Sequence, residues 1–240
     1  MSTPVLYYVA GNASLAPHIV LQEIGAPYDL KRVDRDQHEH KSADYLKLNP
    51  SGLIPALVDG NLVLTEAAAI CLYLADRHPE SRLAPALGTP ERAQLYKWLM
   101  YLTNTLQAEL ITYFYPHRLG GESAKGIVQA NAEMRAGAML DIIEKHFADS
   151  VNNTTEKTAS EKMGTHVTSL ANTALVEPQW ILGADYSIAD AYLMMLCRWT
   201  RGFAHPARVR RHLHCFLVQM MARPAVSHVF AQEELLTPPY

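Results

Sequence analysis

Ile54-Pro-Ala-Leu-Val58 and Leu62-Val-Leu64 are two apolar runs separated by Asp59-Gly60-Asn61. An Asp-Gly turn between such runs predicts a β-hairpin, because its residues take the positive-φ geometry that tight hairpin turns need. The elements before it are short and of mixed type. Val5 to Val9 is β-branched and aromatic, bounded by Gly11-Asn12, and reads as a buried strand. Ala16 to Ile24 reads as a short helix stopped by Gly25, and Tyr28 to Val33 alternates as a second strand. A His- and Lys-rich segment (His38 to Lys47) leads into the hairpin, and Thr65 is expected to cap an Ala-rich helix running to about His78. The predicted order is β-α-β-α-β-β-α.

Beyond Pro90 the periodicity changes. Glu91 to Tyr115, Ala124 to Phe147, Ile188 to Trp199 and His212 to Met221 all carry apolar residues at helical spacing. The stretch Arg77 to Thr89, with Pro79, Pro85 and Gly88, reads as a linker. The expected organisation is an α/β domain over residues 1–82 and an all-α domain over 90–240. A polar segment at about 149–178, rich in Thr, Ser, Asn and Lys, is expected to be an inserted loop, with a weak helix between Glu161 and Leu170. It reads as either a tolerated surface insertion or a functional segment.

Apolar residues make up 49% and charged residues 19% of the 240, so the composition excludes disorder as the main state. A net charge of −3 gives no electrostatic reason to expect nucleic acid or an anionic membrane as partner. Neither a transmembrane run nor the basic start of a signal peptide is present. Cys71, Cys197 and Cys215 are widely separated in apolar contexts. They are read as core packing in a reducing compartment, and a cytoplasmic location follows as the expectation.

Several blocks together are familiar. Tyr7-Tyr8 with Ser14 to Leu21, Asn49-Pro-Ser-Gly-Leu-Ile-Pro-Ala-Leu57, Leu64-Thr-Glu-Ala-Ala-Ala-Ile70, Trp98-Leu99, Gly183 to Tyr192 and Arg223-Pro-Ala-Val226 occur in order. In this arrangement the chain resembles the cytosolic glutathione transferases, and within them the bacterial beta class. The resemblance implies a thioredoxin-like N-terminal domain plus an all-α C-terminal domain, and a homodimer. It also implies glutathione as co-substrate, a small electrophile as second substrate and a detoxifying role.

Glutathione requires its carboxylates, ammonium and thiol to be held, with a thiol of pKa about 8.5 brought to ionise. By resemblance, Glu66 and Ala67 anchor the γ-glutamyl end. Glu66 would pair with the ammonium and the helix start would hold the carboxylate. The competing reading of Glu66 is a helix-dipole partner alone. Ile54 and Pro55 imply a cis peptide whose backbone meets the cysteinyl part of the ligand, although Pro55 alone would also fit a strand edge. Ala13 stands where beta-class members typically carry cysteine, so a mixed disulfide on the enzyme at that position is excluded. The candidates for holding the thiolate are therefore Asn12 and Ser14, whose amide and hydroxyl donate without ionising. Asn12 is slightly preferred, although it also suits a left-handed turn. Ser14 also suits an N-cap.

His40, with His38 and Lys41, lies where the family borders the glycyl carboxylate; a solvated surface run fits equally. Tyr8, Gln107 and Tyr115 are candidate pocket residues. Tyr8 is the weakest, because a first-strand tyrosine more often packs in the core. Gln107 occupies a position where beta-class enzymes often place histidine. Tyr113 to Arg118 either lines the electrophile pocket or packs as core. The pair His38 and His40 has no further cluster to suggest a metal. Ser187-x-x-Asp190 reads as a capping box with no catalytic role.

The leading reading is a glutathione transferase. One rival is a disulfide reductase that uses glutathione and no enzyme cysteine. The other is a catalytically silent module that binds ligands or a partner.

Overall fold

Four short strands form one mixed sheet in the order β2-β1-β3-β4. They are β1 (Val5–Tyr8), β2 (Asp29–Arg32), β3 (Ala56–Asp59) and β4 (Leu62–Thr65). The computed structural model describes residues 3–162, 180–235 and 239–240, with backbone alone over 151–162. β1 pairs parallel with β2 and antiparallel with β3, and β3 pairs antiparallel with β4. The hairpin turn therefore falls where Asp59-Gly60-Asn61 places it, with Gly60 at φ 60°. Helix α1 (Leu15–Ile24) connects β1 to β2, as a parallel pair requires, and ends on Gly25 at φ 72°. Helix α2 (Ala43–Leu48) precedes β3, and α3 (Ala67–Arg77) follows β4.

The strands alternate as pleated strands must. Leu6 and Leu57, partners in register, are both fully buried, while Tyr7 turns to the opposite face and meets the Tyr45 ring at 6.0 Å. Tyr8 shares the face of Leu6 and lies beside His18 of α1, with ring centroids 6.0 Å apart.

The helical part consists of α4 (Pro90–Tyr101), α5 (Ala108–Phe114), α6 (His117–Lys162, broken at Gly121, φ 65°, so that its first turn with Arg118 stands apart from the long remainder), α7 (Ile188–Trp199), α8 (Arg211–Ala222) and α9 (Pro224–Gln232). A π-helical turn over Leu102–Gln107 joins α4 to α5. All 12 residues of α7 are buried, so it is the post on which α1, α3 and α4 pack. Its start is the expected capping box: the Ser187 side chain accepts from the backbone, and Asp190 accepts from Ser187 N–H at 2.8 Å. Asp190 Oδ1 also accepts from Ile181 N–H at 2.8 Å, tying the preceding loop to the helix.

Three expectations change. Thr65 does not cap α3, because it is held in the ladder opposite Ala56; Glu66 takes the N-cap position, and its side chain makes no capping bond. The backbone expected as a loop from 149 is helical to Lys162, since extending a packed helix costs little once the nucleus exists. Residues 163–178 of that segment lie outside the described residues. Cys215 is exposed rather than core, because the buried stripe of α8 runs through Leu213, Phe216, Leu217 and Met220 and misses it. The motif Arg223-Pro-Ala-Val226 opens a separate helix, α9, with Pro224 in its first turn.

Candidate active site

The loop from β1 to α1 is held in place by a serine. Ser14 is fully buried; its Oγ donates to Val9 O at 3.0 Å and accepts from Val9 N–H at 3.2 Å. Its hydroxyl is thereby consumed within the loop and makes no helix-capping bond. Ser14 does not line the cleft beside it, whereas Asn12 and Ala13 do. Asn12 is oriented by its neighbour: its Oδ1 accepts from Ala13 N–H at 2.7 Å. The amide Nδ2 is therefore the free end, without an intramolecular partner among the described residues.

Contacts from the far end of the chain also fix this loop. Gly11 N–H donates to Glu233 Oε2 at 2.8 Å, and Trp199 Nε1–H donates to Gly11 O at 3.0 Å. Glu233 Oε1 in turn lies 2.6 Å from His18 Nδ1, both side chains fully buried. Gly11 sits at φ 67° with Leu235 close by, where a side chain would be strained.

On the opposite wall the Ile54-Pro55 peptide is cis. The turn leading to it is set by Asn49, a buried residue: Nδ2 donates to Leu53 O at 2.8 Å, and Oδ1 accepts from Ser51 Oγ at 2.7 Å. Tyr45 Oη adds a second bond to Leu53 O at 2.7 Å. Glu66 bounds this side at φ 66° and ψ 111°, a conformation rarely held by a non-glycine residue. Ala67, next to it, is the first residue of α3, whose unpaired N–H groups form an anion site.

The cleft encloses about 280 Å³ and is lined by residues of both halves of the chain. Arg35, His40 and Lys41 come from the segment after β2. The Nδ1 atom of His40 is buried without a hydrogen-bond partner. Burial first, then the charges of Arg35, Lys41 and His38, hold its pKa below the ordinary histidine value. The shift favours the uncharged imidazole of His40, which stands in the cleft beside the cations Lys41 and Arg35. From the helical side come Gln107, Ile111, Tyr115, Arg118, Tyr192 and Trp199. Burial pushes the Tyr192 phenol far up, so it stays protonated and donates to Gln107 Oε1 at 2.5 Å. Gln107 therefore presents its amide N–H groups to the cleft, as Asn12 does.

Of the aromatic patch expected to line the pocket, Tyr115 and Arg118 do so; Tyr113 packs on Phe203 at 4.6 Å instead. Tyr8 does not reach the cleft, because it faces α1. No cysteine lines the cleft. Cys71 and Cys197 are buried with their thiols pushed well up by desolvation, so any thiol reacting here belongs to a ligand. Among the described residues no group of three His, Cys, Asp or Glu is placed to hold a metal ion, and no helix is long and apolar enough to cross a membrane.

Arg35, Trp199 and Glu233 were not recognisable from the sequence. Gly11 and Glu233 are 222 positions apart, and neither sits in a recognisable motif.

A thioredoxin-like four-stranded sheet, backed by a helical region that completes its cleft, is the architecture of the glutathione transferases. Residues 3–76 match the family model of the glutathione S-transferase N-terminal domain. The chain is 32% identical to glutathione S-transferase GST-4.5 of Xanthomonas campestris, over 96% of this chain and 98% of that one. It superposes on a glutathione transferase homologue from Sulfitobacter with bound glutathione (TM-score 0.77, 26% identity, 97% of this chain and 99% of that one). It also superposes on the bacterial beta-class enzyme of Sphingomonas chungbukensis (TM-score 0.72, 28% identity, 96% and 99%). The chain belongs to the glutathione S-transferase family.

Proposed function

We propose that this chain binds glutathione in the cleft and transfers its thiolate to a small aromatic or conjugated electrophile. The observation that carries the reading is the convergence on one cleft of cis-Pro55, Glu66 with the α3 N-terminus, and the free Asn12 amide. The backbone of Ile54 would pair with the cysteinyl part of glutathione as an added strand does. Glu66 would meet the ammonium, the α3 N–H groups at Ala67 the γ-glutamyl carboxylate, and Lys41 with His40 the glycyl carboxylate.

The thiol gives its proton to solvent, and Asn12 Nδ2–H donates to the sulfur anion that remains. The sulfur lone pair then forms the C–S bond while the leaving group departs with its bonding electrons. In conjugate addition no group leaves: the sulfur bonds the β-carbon, the C=C π electrons move to the α-carbon, and water protonates it. The protein supplies proximity and preorganised donors rather than a general base. Ser14, bonded to Val9, shapes the loop and does not touch the sulfur. We further propose the division into domains 1–82 and 90–240, and a cytoplasmic, detoxifying homodimer. Exposed Leu62 and Val63 of β4 and Tyr96 and Met100 of α4 are apolar residues that a second copy would cover.

Calorimetric titration of glutathione across neutral pH tests the reading. Wild type is expected to bind with release of the thiol proton. Asn12→Ala is expected to bind while the bound-thiol pKa rises by about 1–2 units, since a hydrogen bond to a charged group contributes about 1.5–3 kcal/mol. Absence of binding refutes the transferase in favour of the silent module. Turnover confined to disulfides favours the reductase.

A further inference from the structure

We propose that the electrophile accepted by this cleft carries a carboxylate or an equivalent acid, and that Arg118, seated on Tyr115, selects it. The inference rests on the glutathione reading above and names its second substrate class.

The cleft is lined by three full cations, Arg35, Lys41 and Arg118, against a single acid, Glu66. Glutathione accounts for part of this imbalance, because its two carboxylates have the α3 N-terminus and Lys41 as partners. Arg118 stands apart from both: it belongs to α6, on the helical wall, with Ile111 of α5 on the same wall. Its guanidinium lies 3.9 Å from the centroid of the Tyr115 ring, and no carboxylate of the described residues pairs with it. Arg92, Arg135, Arg210 and Arg223 each meet an aspartate or glutamate at 2.6–2.8 Å.

The stacking matters chemically. A guanidinium laid on an aromatic face gives up part of its freedom before any ligand arrives, and its planar fork matches a carboxylate. Arg35 reaches across from the sheet domain and donates from Nη2 to Tyr115 Oη at 3.2 Å. With its oxygen occupied as acceptor, Tyr115 keeps its O–H to donate. Two donors, Tyr115 O–H and Arg118, thus belong to one stacked pair beside the apolar Ile111. An aromatic electrophile with an acid group at its far end satisfies all three.

The test uses S-conjugates, so that no particular electrophile need be guessed. Affinities of S-benzylglutathione and S-(para-carboxybenzyl)glutathione are measured by calorimetry for wild type, Arg118→Gln and Arg118→Lys, with glutathione alone in parallel. Wild type should prefer the carboxylated conjugate about tenfold, the ratio one charge-assisted hydrogen bond provides. Arg118→Gln should bring that ratio close to one and leave glutathione affinity within about twofold, with Arg118→Lys between the two. A wild-type ratio near one overturns the proposal, as does a ratio unchanged in Arg118→Gln. Loss of glutathione affinity in Arg118→Gln equal to the loss of the ratio also overturns it, by assigning Arg118 to the glycyl carboxylate. Wild type that binds no glutathione at all refutes the underlying reading itself, an outcome distinct from the other three.

Discussion

Removing the carboxylate of Glu233 is expected to be among the most damaging single substitutions outside the cleft. Its two oxygens receive His18 Nδ1 at 2.6 Å and Gly11 N–H at 2.8 Å, and neither Glu233 nor His18 has an exposed side chain. Glu233→Leu leaves both partners buried and unmatched. Breaking such a pair costs about 3–5 kcal/mol. For a chain of this length each kcal/mol lowers Tm by about 2–4 °C, so a fall of about 6–20 °C is expected in thermal scans followed by circular dichroism. The origin of the loss is separable. In the double variant His18→Leu with Glu233→Leu the imidazole is no longer stranded, and only the Gly11 N–H and the Gln232 contact remain unmatched. The double variant should therefore be more stable than Glu233→Leu alone, by about 1–3 kcal/mol. Because Gly11 precedes Asn12, Glu233→Leu should also raise the pKa of bound glutathione thiol, a change that destabilisation elsewhere would not produce. A cost below about 1 kcal/mol, or single-variant losses that simply add in the double variant, would refute this account of the loop anchor.

Two further substitutions test neighbouring parts of the argument. Asp190→Ala strands the Ile181 and Ser187 N–H groups and should cost about 2–4 kcal/mol in urea denaturation. Burial pushes the Asp190 carboxyl up to about 7, so its protonated form is the better tolerated in the fold and the stability it brings is lost as pH rises through that value. The gap between wild type and Asp190→Ala should therefore widen on acidification from about pH 7 towards 4, by about 1.4 kcal/mol per unit, and a pH-independent gap would contradict it. Gly52→Ala places a Cβ at φ +61°, 2.6 Å from Lys41 Nζ and 2.9 Å from His40 O. The lysine end can swing away but the carbonyl cannot, so the segment bearing His40 and Lys41 must shift. We expect KM for glutathione to rise several-fold with a smaller change in kcat; an unchanged KM would detach that segment from the ligand.

What the sequence made legible follows from the range of the interactions involved. The hairpin, the α1 stop at Gly25 and the Ser187 capping box are set by residues a few positions apart, and all three occur where they were read. Ile54-Pro55 and Glu66-Ala67, which line the cleft, were read from the family resemblance of the short motifs they sit in. Ser14 and Tyr8 were misplaced because their role depends on direction: the serine folds back on Val9, and the tyrosine faces α1. His40 was read with His38 and Lys41 as a carboxylate-bordering segment or a surface run, and only the fold shows its half-buried ring, among Arg35, Lys41 and His38, with its pKa lowered. Arg35 and Glu233 act on partners 80 and 222 positions away, a relation that no local pattern encodes.

The same distinction explains how a cleft without cysteine can still be organised for thiolate chemistry. The two amides facing it, Asn12 and Gln107, are each turned by a donor that occupies the oxygen, Ala13 N–H in one case and Tyr192 O–H in the other. An amide so fixed presents its N–H groups outward and has little reorganisation left when a negative sulfur arrives, which is where preorganised donors gain over water. The frame that holds these groups comes from elsewhere in the chain. Tyr192 lies on the buried α7, and the Asn12 loop is clasped by Trp199 from the end of α7 and by Glu233 after α9. In the proposed reaction the sheet half would contribute the recognition of a peptide backbone, while the helical half fixes the Asn12 loop and the Gln107 amide that would meet the sulfur. Neither half alone holds both.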